Sequence, residues 1–123
     1  MRRILIIDDE DDIREVAALS LESVAGWRIS TADCAAEGIK KAVAENPDAI
    51  LMDVMMPIVD GPTAFKEMQK LPEIAHIPVI LLTAKVQGVD QRRFAGLGVA
   101  AVLFKPFDPL SLSKEISTAL GWG

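Results

Sequence analysis

The chain has 123 residues, half of them hydrophobic, with a formal net charge of -5 and Cys34 as its only cysteine. A chain of this size builds one core, so we expect a single domain over residues 1–123 with its core between about residues 3 and 120. The sequence excludes an internal disulfide, a membrane span and a basic face for direct nucleic-acid binding, and it favours a cytoplasmic location.

Apolar runs and helical patterns alternate along the chain. The run at residues 4–7 ends at Asp8 and leads into a helical pattern that Gly26 ends. The inward face of this helix is predicted to carry Ile13, Val16, Ala17, Leu21 and Val24. Residues 27–31 then alternate between apolar and polar side chains, which predicts a strand with one wet face.

A second helical pattern covers residues 35–44 and stops at Asn46-Pro47. The residues expected to face inward from it are Ile39, Ala42 and Val43. The apolar run at residues 49–52 follows and ends at Asp53. Like the first run it is apolar on both faces, which predicts a strand buried between layers of helices.

The second half of the chain continues the alternation. Asp60-Gly61-Pro62 predicts a turn into a third helix, with Pro62 at its first position. The buried face of this helix is expected to carry Phe65 and Met68. A third apolar run, at residues 78–82, ends at Thr83.

The last part of the chain holds two further helical patterns and one strand. A weaker helical pattern covers residues 90–97, and a fourth apolar run at residues 100–104 ends at Lys105. Asp108-Pro109 is expected to cap a last helix. The inward residues of that helix are predicted to be Leu112, Ile116 and Leu120.

Five alternating strand–helix units predict an α/β protein of the flavodoxin-like doubly wound class, (βα)5. Strands that are apolar on both faces predict a five-stranded parallel sheet with helices on both faces. The half-polar strand at residues 27–31 belongs at an edge, and the strand order 2-1-3-4-5 places it there.

The residues with chemical potential stand where the predicted strands end. In such sheets, ligands bind beyond the carboxyl ends of the strands, where the strand order reverses. Asp8-Asp9, Asp53, Thr83 and Lys105 end the first, third, fourth and fifth strands. Three acids need a counter-charge, which a magnesium ion with oxygen ligands supplies. With the Lys105 ammonium and the Thr83 hydroxyl, such a metal would clamp a transferring phosphoryl group, with Asp53 as its acceptor.

Each of these residues also has an ordinary structural explanation. A single Asp at a strand end often caps a turn or helix, and Asp9, Glu10 and Asp11 would favour the positive end of the following helix. Thr83 alone could be a strand hydroxyl, and Lys105 alone a solvated lysine. Their coincidence at the strand ends of one predicted site favours the chemical interpretation.

Five short motifs carry a family resemblance. They are Ile4-Leu5-Ile6-Ile7-Asp8-Asp9-Glu10, Leu51-Met52-Asp53-Val54-Met55-Met56-Pro57, Asp60-Gly61, Leu82-Thr83-Ala84 and Lys105-Pro106-Phe107. In this order and spacing they resemble the receiver domain of response regulators in two-component systems, of the chemotaxis-regulator kind. The resemblance covers residues 3–120, nearly the whole chain.

The resemblance implies a phosphoacceptor. Asp53 would take a phosphoryl group from a histidine kinase or a histidine phosphotransfer protein in a magnesium-dependent reaction. Asp8, Asp9, Asp53 and the backbone carbonyl of Met55 would hold the Mg2+, for which Mn2+ could substitute. Lys105 would contact the phosphoryl group.

The resemblance also implies a switch. Thr83 would shift toward the new phosphate and remodel the surface around the fourth helix, fifth strand and fifth helix for a downstream protein partner. The protein would be a signalling phosphoacceptor and not an enzyme, with only self-directed phosphotransfer and autodephosphorylation, and it would be a monomer or a weak phosphorylation-dependent dimer. The bond between Lys105 and Pro106 would be cis.

One position departs from the family pattern. Three residues before Lys105 the family carries Tyr or Phe, which swings inward as the threonine moves, and this chain has Val102. Valine cannot swing in the same way. Phe104 lies two residues further on, and therefore on the same face of the strand.

Three other functions compete with this interpretation. A receiver-shaped interaction module that signals without phosphorylation would lose one or more site residues, and this chain keeps them. An aspartate-nucleophile phosphohydrolase of the haloacid-dehalogenase kind is weakly suggested by Asp9-Glu10-Asp11, but the chain has no room for a cap domain. A flavodoxin-type flavin carrier needs hydroxyls and glycines after the first strand, where this chain has acids.

Overall fold

The computed structural model describes residues 2–84, 94 and 96–122. Its strands are β1 (Arg3–Ile7), β2 (Arg28–Ala32), β3 (Ala49–Asp53), β4 (Val79–Ala84) and β5 (Ala101–Lys105). The helices among the described residues are α1 (Asp11–Ala25), α2 (Ala35–Glu45), α3 (Gly61–Gln69) and α4 (Leu112–Leu120). The helix predicted at residues 90–97 falls largely outside the described residues.

The five strands form one parallel sheet in the order β2-β1-β3-β4-β5. This order confirms the predicted topology, with the half-polar strand β2 at an edge. The chain moves outward from β1 to β2, and then returns to the other side of β1 to form β3. The order therefore reverses between β1 and β3, so the carboxyl ends of these two strands flank the crevice where such sheets bind ligands.

The strands are buried because both of their faces are covered. Along β1, Leu5 and Ile7 pack into the core layer beneath α2 and α3, while Ile4 and Ile6 pack into the layer beneath α1 and α4. All four side chains are at most 1% exposed. This alternation explains why the sequence shows continuous apolar runs at β1, β3 and β4.

Local signals fix where the helices begin and end. Gly26 adopts a left-handed backbone (φ 70°) and donates its N–H to the Glu22 carbonyl, which closes α1. Asn46 does the same for α2 with φ 49°. At the start of α3, the Asp60 carboxylate accepts a hydrogen bond from the Thr63 N–H at 2.8 Å, as expected for a cap followed by proline.

Three predicted inward residues are wrong. Val16, Val24 and Val43 are 44%, 49% and 44% exposed. Val16 and Val43 each lie about 100° around their helix from a fully buried alanine, Ala17 and Ala42, so the stripe that touches the sheet is narrower than the apolar pattern. Val24 lies in the last turn of α1.

The start of the last helix is also displaced from its prediction. Asp108 does not cap α4, because Ser111 is the residue that precedes its first turn. The Asp108 carboxylate instead accepts hydrogen bonds from the Leu110 N–H at 2.9 Å and the Ser111 hydroxyl at 3.1 Å. These bonds stabilise a turn that leads into the helix. Leu112 is buried in the core as predicted.

None of the described helices is both long enough and apolar enough to cross a lipid bilayer. The longest, α1, has 15 residues and carries charged side chains in its first turn.

Candidate functional site

Three charged side chains meet at the carboxyl ends of the strands. Asp8 directly follows β1, while Asp53 and Lys105 are the last residues of β3 and β5. The Lys105 Nζ lies 3.2 Å from Asp8 Oδ2 and 3.2 Å from Asp53 Oδ1. The two carboxylates are only 1% and 2% exposed, so the ammonium is their charge partner inside the protein.

Two further acids complete a cluster around this point. Asp8, Asp9, Glu10 and Asp53 each offer a carboxylate oxygen, and these four oxygens lie within 4.8 Å of one another. Asp9 is exposed, and Glu10 reaches Lys105 Nζ at 3.3 Å. The cluster joins a buried half at the sheet to a solvent-facing half on the loop after β1.

The cluster fits a hard divalent cation. Asp8 Oδ2 and Asp53 Oδ2 are both buried; Asp8 Oδ2 has the Lys105 ammonium 3.2 Å away, whereas Asp53 Oδ2 accepts no hydrogen bond from any described residue. A buried acceptor without a donor is costly, and several carboxylates in contact repel one another. A cation with oxygen ligands removes both costs, so this donor set could hold a metal such as Mg2+.

Asp53 and Lys105 shift the pKa values of one another. Burial is the main cause that raises the pKa of Asp53 to about 7, and the charge of Asp8 raises it further, while Lys105 opposes the shift. Burial disfavours the charge on Lys105, but Asp8 and Asp53 outweigh burial and raise the pKa of this lysine above its usual value. Lys105 therefore stays protonated, and Asp53 is the group whose charge responds to its surroundings near neutral pH.

The loop after β3 approaches the site through its backbone. The Met55 N–H donates to Asp53 Oδ1 at 3.3 Å, and the Met55 side chain is 75% exposed. A Cβ on Gly61 would lie 2.4 Å from the Asp53 carbonyl oxygen, so only glycine lets α3 start this close to β3. Ile58, at the tip of the loop, is fully exposed and has a left-handed φ of 70°.

Thr83 and Val102 lie on the opposite face of the sheet from the Asp53 carboxylate. Asp53 pairs in register with Leu82, so the next residue, Thr83, projects to the opposite face of β4. Thr83 is 2% exposed, and it makes no hydrogen bond to Asp53 among the described contacts. Val102 packs into the core layer beneath α2 and α3, and Phe104 is the register partner of Thr83. The peptide bond after Lys105 is cis, as the family resemblance implies.

Comparison with known proteins decides the family. A family model described as the response regulator receiver domain matches residues 4–117. The chain belongs to the response regulator receiver domain family. Receiver domains are signalling phosphoacceptors that interact with histidine kinases and downstream effectors. This assignment favours the receiver over the phosphohydrolase and the flavin carrier.

Individual relatives agree with the assignment. The chain is 35% identical over 120 residues to protein PilH of Pseudomonas aeruginosa, covering 98% of each chain. It is 33% identical to the alkaline phosphatase synthesis transcriptional regulatory protein PhoP of Bacillus subtilis, covering 97% of this receiver domain but only 48% of PhoP. Among solved structures, chemotaxis protein CheY4 of Vibrio cholerae superposes with a TM-score of 0.89 at 28% identity, over 97% of this chain and 98% of that one. The receiver domain therefore spans about half the length of some relatives and nearly all of another.

Two further side chains reach the site. The sequence predicts helix capping for Glu10, yet its carboxylate contacts Lys105. Arg14 lies outside the predicted site, yet its guanidinium donates to the Asp8 carbonyl at 2.7 Å. The sequence signal for Arg14 is its spacing of three residues from Asp11, which allows a pair on one helix face.

Proposed function

We propose that Asp53 is the phosphoacceptor of this receiver domain, taking a phosphoryl group from a histidine kinase or a histidine phosphotransfer protein in a magnesium-dependent reaction. The observation that carries the proposal is Asp53 Oδ2, a buried carboxylate oxygen without a hydrogen-bond donor among the described residues. The other oxygen, Oδ1, lies 3.2 Å from the Lys105 ammonium. One oxygen is thus held, and the other is left for a new bond. We take residues 1–123 as one such domain.

The metal ligands would come from two strand ends and one loop. Asp8, Asp9, Asp53 and the backbone carbonyl of Met55 would hold Mg2+ or Mn2+; the three carboxylates belong to the acid cluster, and the Met55 carbonyl is the ligand that the family resemblance adds. When bound, the metal supplies positive charge that offsets the negative charge on the transferring phosphoryl oxygens. Asp8 is almost fully buried, so its carboxylate would be the ligand of this set that is least free to move.

In the transfer step, Asp53 and Lys105 would act from the positions that they already occupy. Asp53 Oδ2 attacks the phosphorus, the bond from phosphorus to the donor's histidine nitrogen breaks, and that nitrogen keeps the electron pair. The product is an acyl phosphate on Asp53. Lys105 already lies against Oδ1, so its ammonium can follow the charge that moves onto the phosphoryl oxygens without reorganising.

The change of surface that signals to a downstream protein would follow from the negative charge that the phosphoryl group adds. An acyl phosphate brings new acceptor oxygens to a site where the Thr83 hydroxyl lies one residue beyond the register partner of Asp53. We propose that Thr83 moves to donate to one of these oxygens and that the changed surface binds a downstream protein. Val102 is a partly buried aliphatic side chain packed against the core, so the aromatic movement typical of the family has no counterpart at that position.

Intact-mass spectrometry after incubation with acetyl phosphate and Mg2+ tests the proposal. We expect one phosphoryl adduct on the wild-type chain, and none with Asp53→Asn or without Mg2+. The matched control is Asp48→Asn, which makes the same chemical change at an exposed position just before the other end of β3. Absence of the adduct in a wild-type chain that binds Mg2+ would contradict the proposal and favour an interaction module that signals without phosphorylation.

A further inference from the structure

Arg14, on the first turns of α1, reaches back to the segment that carries the acids. Its Nη1 donates to the Asp8 carbonyl at 2.7 Å, and its Nη2 pairs with Asp11 Oδ1 at 2.5 Å. The Arg14 side chain is only 18% exposed, so water competes weakly for its bond to the Asp8 carbonyl, whereas the Asp11 side chain is 77% exposed. One side chain thus ties the residue that follows β1 to the first residue of α1.

The Asp8 carbonyl needs this donor because it lies beyond the sheet. The ladders between β1 and its neighbours end at Ile7, which pairs with Met52 on one side and Ala32 on the other. A backbone carbonyl without a partner in a half-buried place is costly. Arg14 supplies the bond that the sheet no longer provides.

The two contacts of Arg14 hold together the loop after β1, which carries most of the clustered acids. Three of the four clustered acids, at positions 8–10, lie in the segment from Asp8 to Asp11 whose two ends the guanidinium binds. Their carboxylates repel one another and would spread the loop apart if its backbone were free. The Asp8 carboxylate also accepts from the Glu10 N–H at 2.9 Å, so a fixed Asp8 carries Glu10 with it.

We propose that Arg14 is a positioning residue that holds residues 8–10 in the arrangement required for metal binding; this inference rests on the proposed magnesium site. Arg14 acts through the backbone, because its contacts are with the Asp8 carbonyl and with Asp11, which is not part of the acid cluster. Two acceptors in different directions require the forked donor of arginine. A lysine ammonium keeps the charge but cannot reproduce this fork.

The test is a Mg2+ titration by calorimetry on the metal-free chain and three variants. Arg14→Lys keeps the charge and loses the fork, while Arg14→Gln loses both. Arg28→Gln is the matched control, because it removes the same charge where β2 begins, about 16 Å from Asp8 along the strand direction and beyond the screening length. We expect the dissociation constant to rise roughly tenfold in both Arg14 variants and to stay at the wild-type value in Arg28→Gln.

Two further readouts separate positioning from general damage. At saturating Mg2+, the acetyl phosphate adduct of Arg14→Lys should reach the wild-type level, and in metal-free protein the Glu10 amide should exchange its hydrogen faster than in wild type. Wild-type Mg2+ affinity in Arg14→Lys would overturn the positioning role while leaving the magnesium site intact. A wild-type chain that binds no Mg2+ would overturn the magnesium site itself, and the positioning role with it.

Discussion

At the scale of single residues, the surroundings of Asp53 disfavour the negative charge on its carboxylate. Its carboxylate is 2% exposed and faces the carboxylate of Asp8, and one of its oxygens receives no hydrogen bond from the described residues. Lys105 offsets part of this cost, but burial and Asp8 still raise the pKa of Asp53 to about 7. An unfolded chain would ionise this group at its ordinary pKa of 3.8. Ionised Asp53 therefore destabilises the metal-free fold.

This conflict predicts the pH dependence of stability. In metal-free protein, folded Asp53 takes up a proton as the pH falls through about 7, while the unfolded chain does so only near 3.8. The free energy of unfolding should therefore increase as the pH is lowered from 8 to 5. Asp53→Asn removes the charge, and at pH 8 it should be more stable than wild type by an amount on the order of 4 kcal/mol, because the pKa rises from 3.8 to about 7 and each pKa unit corresponds to about 1.4 kcal/mol. The gap should close toward pH 5. Urea unfolding in a chelator at the two pH values measures it.

Asp48→Asn provides the comparison for that experiment. Asp48 is exposed and accepts a hydrogen bond from the Arg3 N–H at 2.8 Å. Its substitution should lower stability slightly, by a similar amount at both pH values. A gap between wild type and Asp53→Asn that widens as the pH falls would contradict the explanation based on burial.

Among secondary-structure elements, α3 begins in direct contact with the strand that carries Asp53. The Gly61 N–H donates to the Val54 carbonyl at 2.9 Å, and the Asp53 carbonyl oxygen occupies the space where a side chain at position 61 would start. The Asp60 cap and Pro62 then set the direction of the helix. The backbone on which Asp53 stands is therefore fixed in part by the first turn of α3.

We expect Gly61→Ala to disturb both stability and chemistry. The added Cβ would lie 2.4 Å from the Asp53 carbonyl oxygen and 3.0 Å from the Val54 Cα, and backbone atoms cannot rotate away. Overpacking of this kind costs about 1–3 kcal/mol. The shift should also displace Asp53, so the rate of labelling by acetyl phosphate should fall. Urea unfolding and the labelling time course measure the two effects.

Gly38→Ala distinguishes crowding at the site from crowding in general. A Cβ at position 38 would lie 2.3 Å from the Cδ1 of Ile7, where α2 packs against β1. This variant should lose less stability than Gly61→Ala, because the Ile7 side chain can shift and the backbone at Asp53 cannot, and it should label at the wild-type rate. Equal losses of labelling in the two variants would show that Gly61 has no special relation to Asp53.

The sequence predicts the elements better than it predicts their details. Continuous apolar runs identify buried parallel strands, and the half-polar run identifies β2 as the edge strand. The same pattern fails at Val16, because periodicity cannot tell how wide a stripe the sheet covers. Arg14 escaped prediction because its partner is a backbone carbonyl, and only the path of the loop after β1 brings that group within reach.

Across the whole molecule, the two ends of the sheet carry different kinds of residues. The carboxyl ends of β1, β3 and β5 carry the charged site. At the opposite end, Trp27 and Trp122 meet edge to face with ring centroids 5.5 Å apart, and the Arg2 guanidinium lies 4.1 Å from the centroid of Trp122. This aromatic cluster joins the residues before β1, before β2 and after α4, so it links three segments that are distant in sequence.

The separation of the two ends predicts that stability and phosphorylation can be changed independently. Trp122→Ala removes the aromatic pair and the cation–π contact, which should lower the free energy of unfolding by about 1–3 kcal/mol. The wild-type labelling rate should persist, because the strands place about 20 Å between the cluster and Asp53. Leu19→Ala is a suitable control, since this side chain is 65% exposed and should change neither quantity. A slower labelling rate in folded Trp122→Ala protein would mean that the end of the sheet bearing the aromatic cluster is coupled to the phosphoacceptor site.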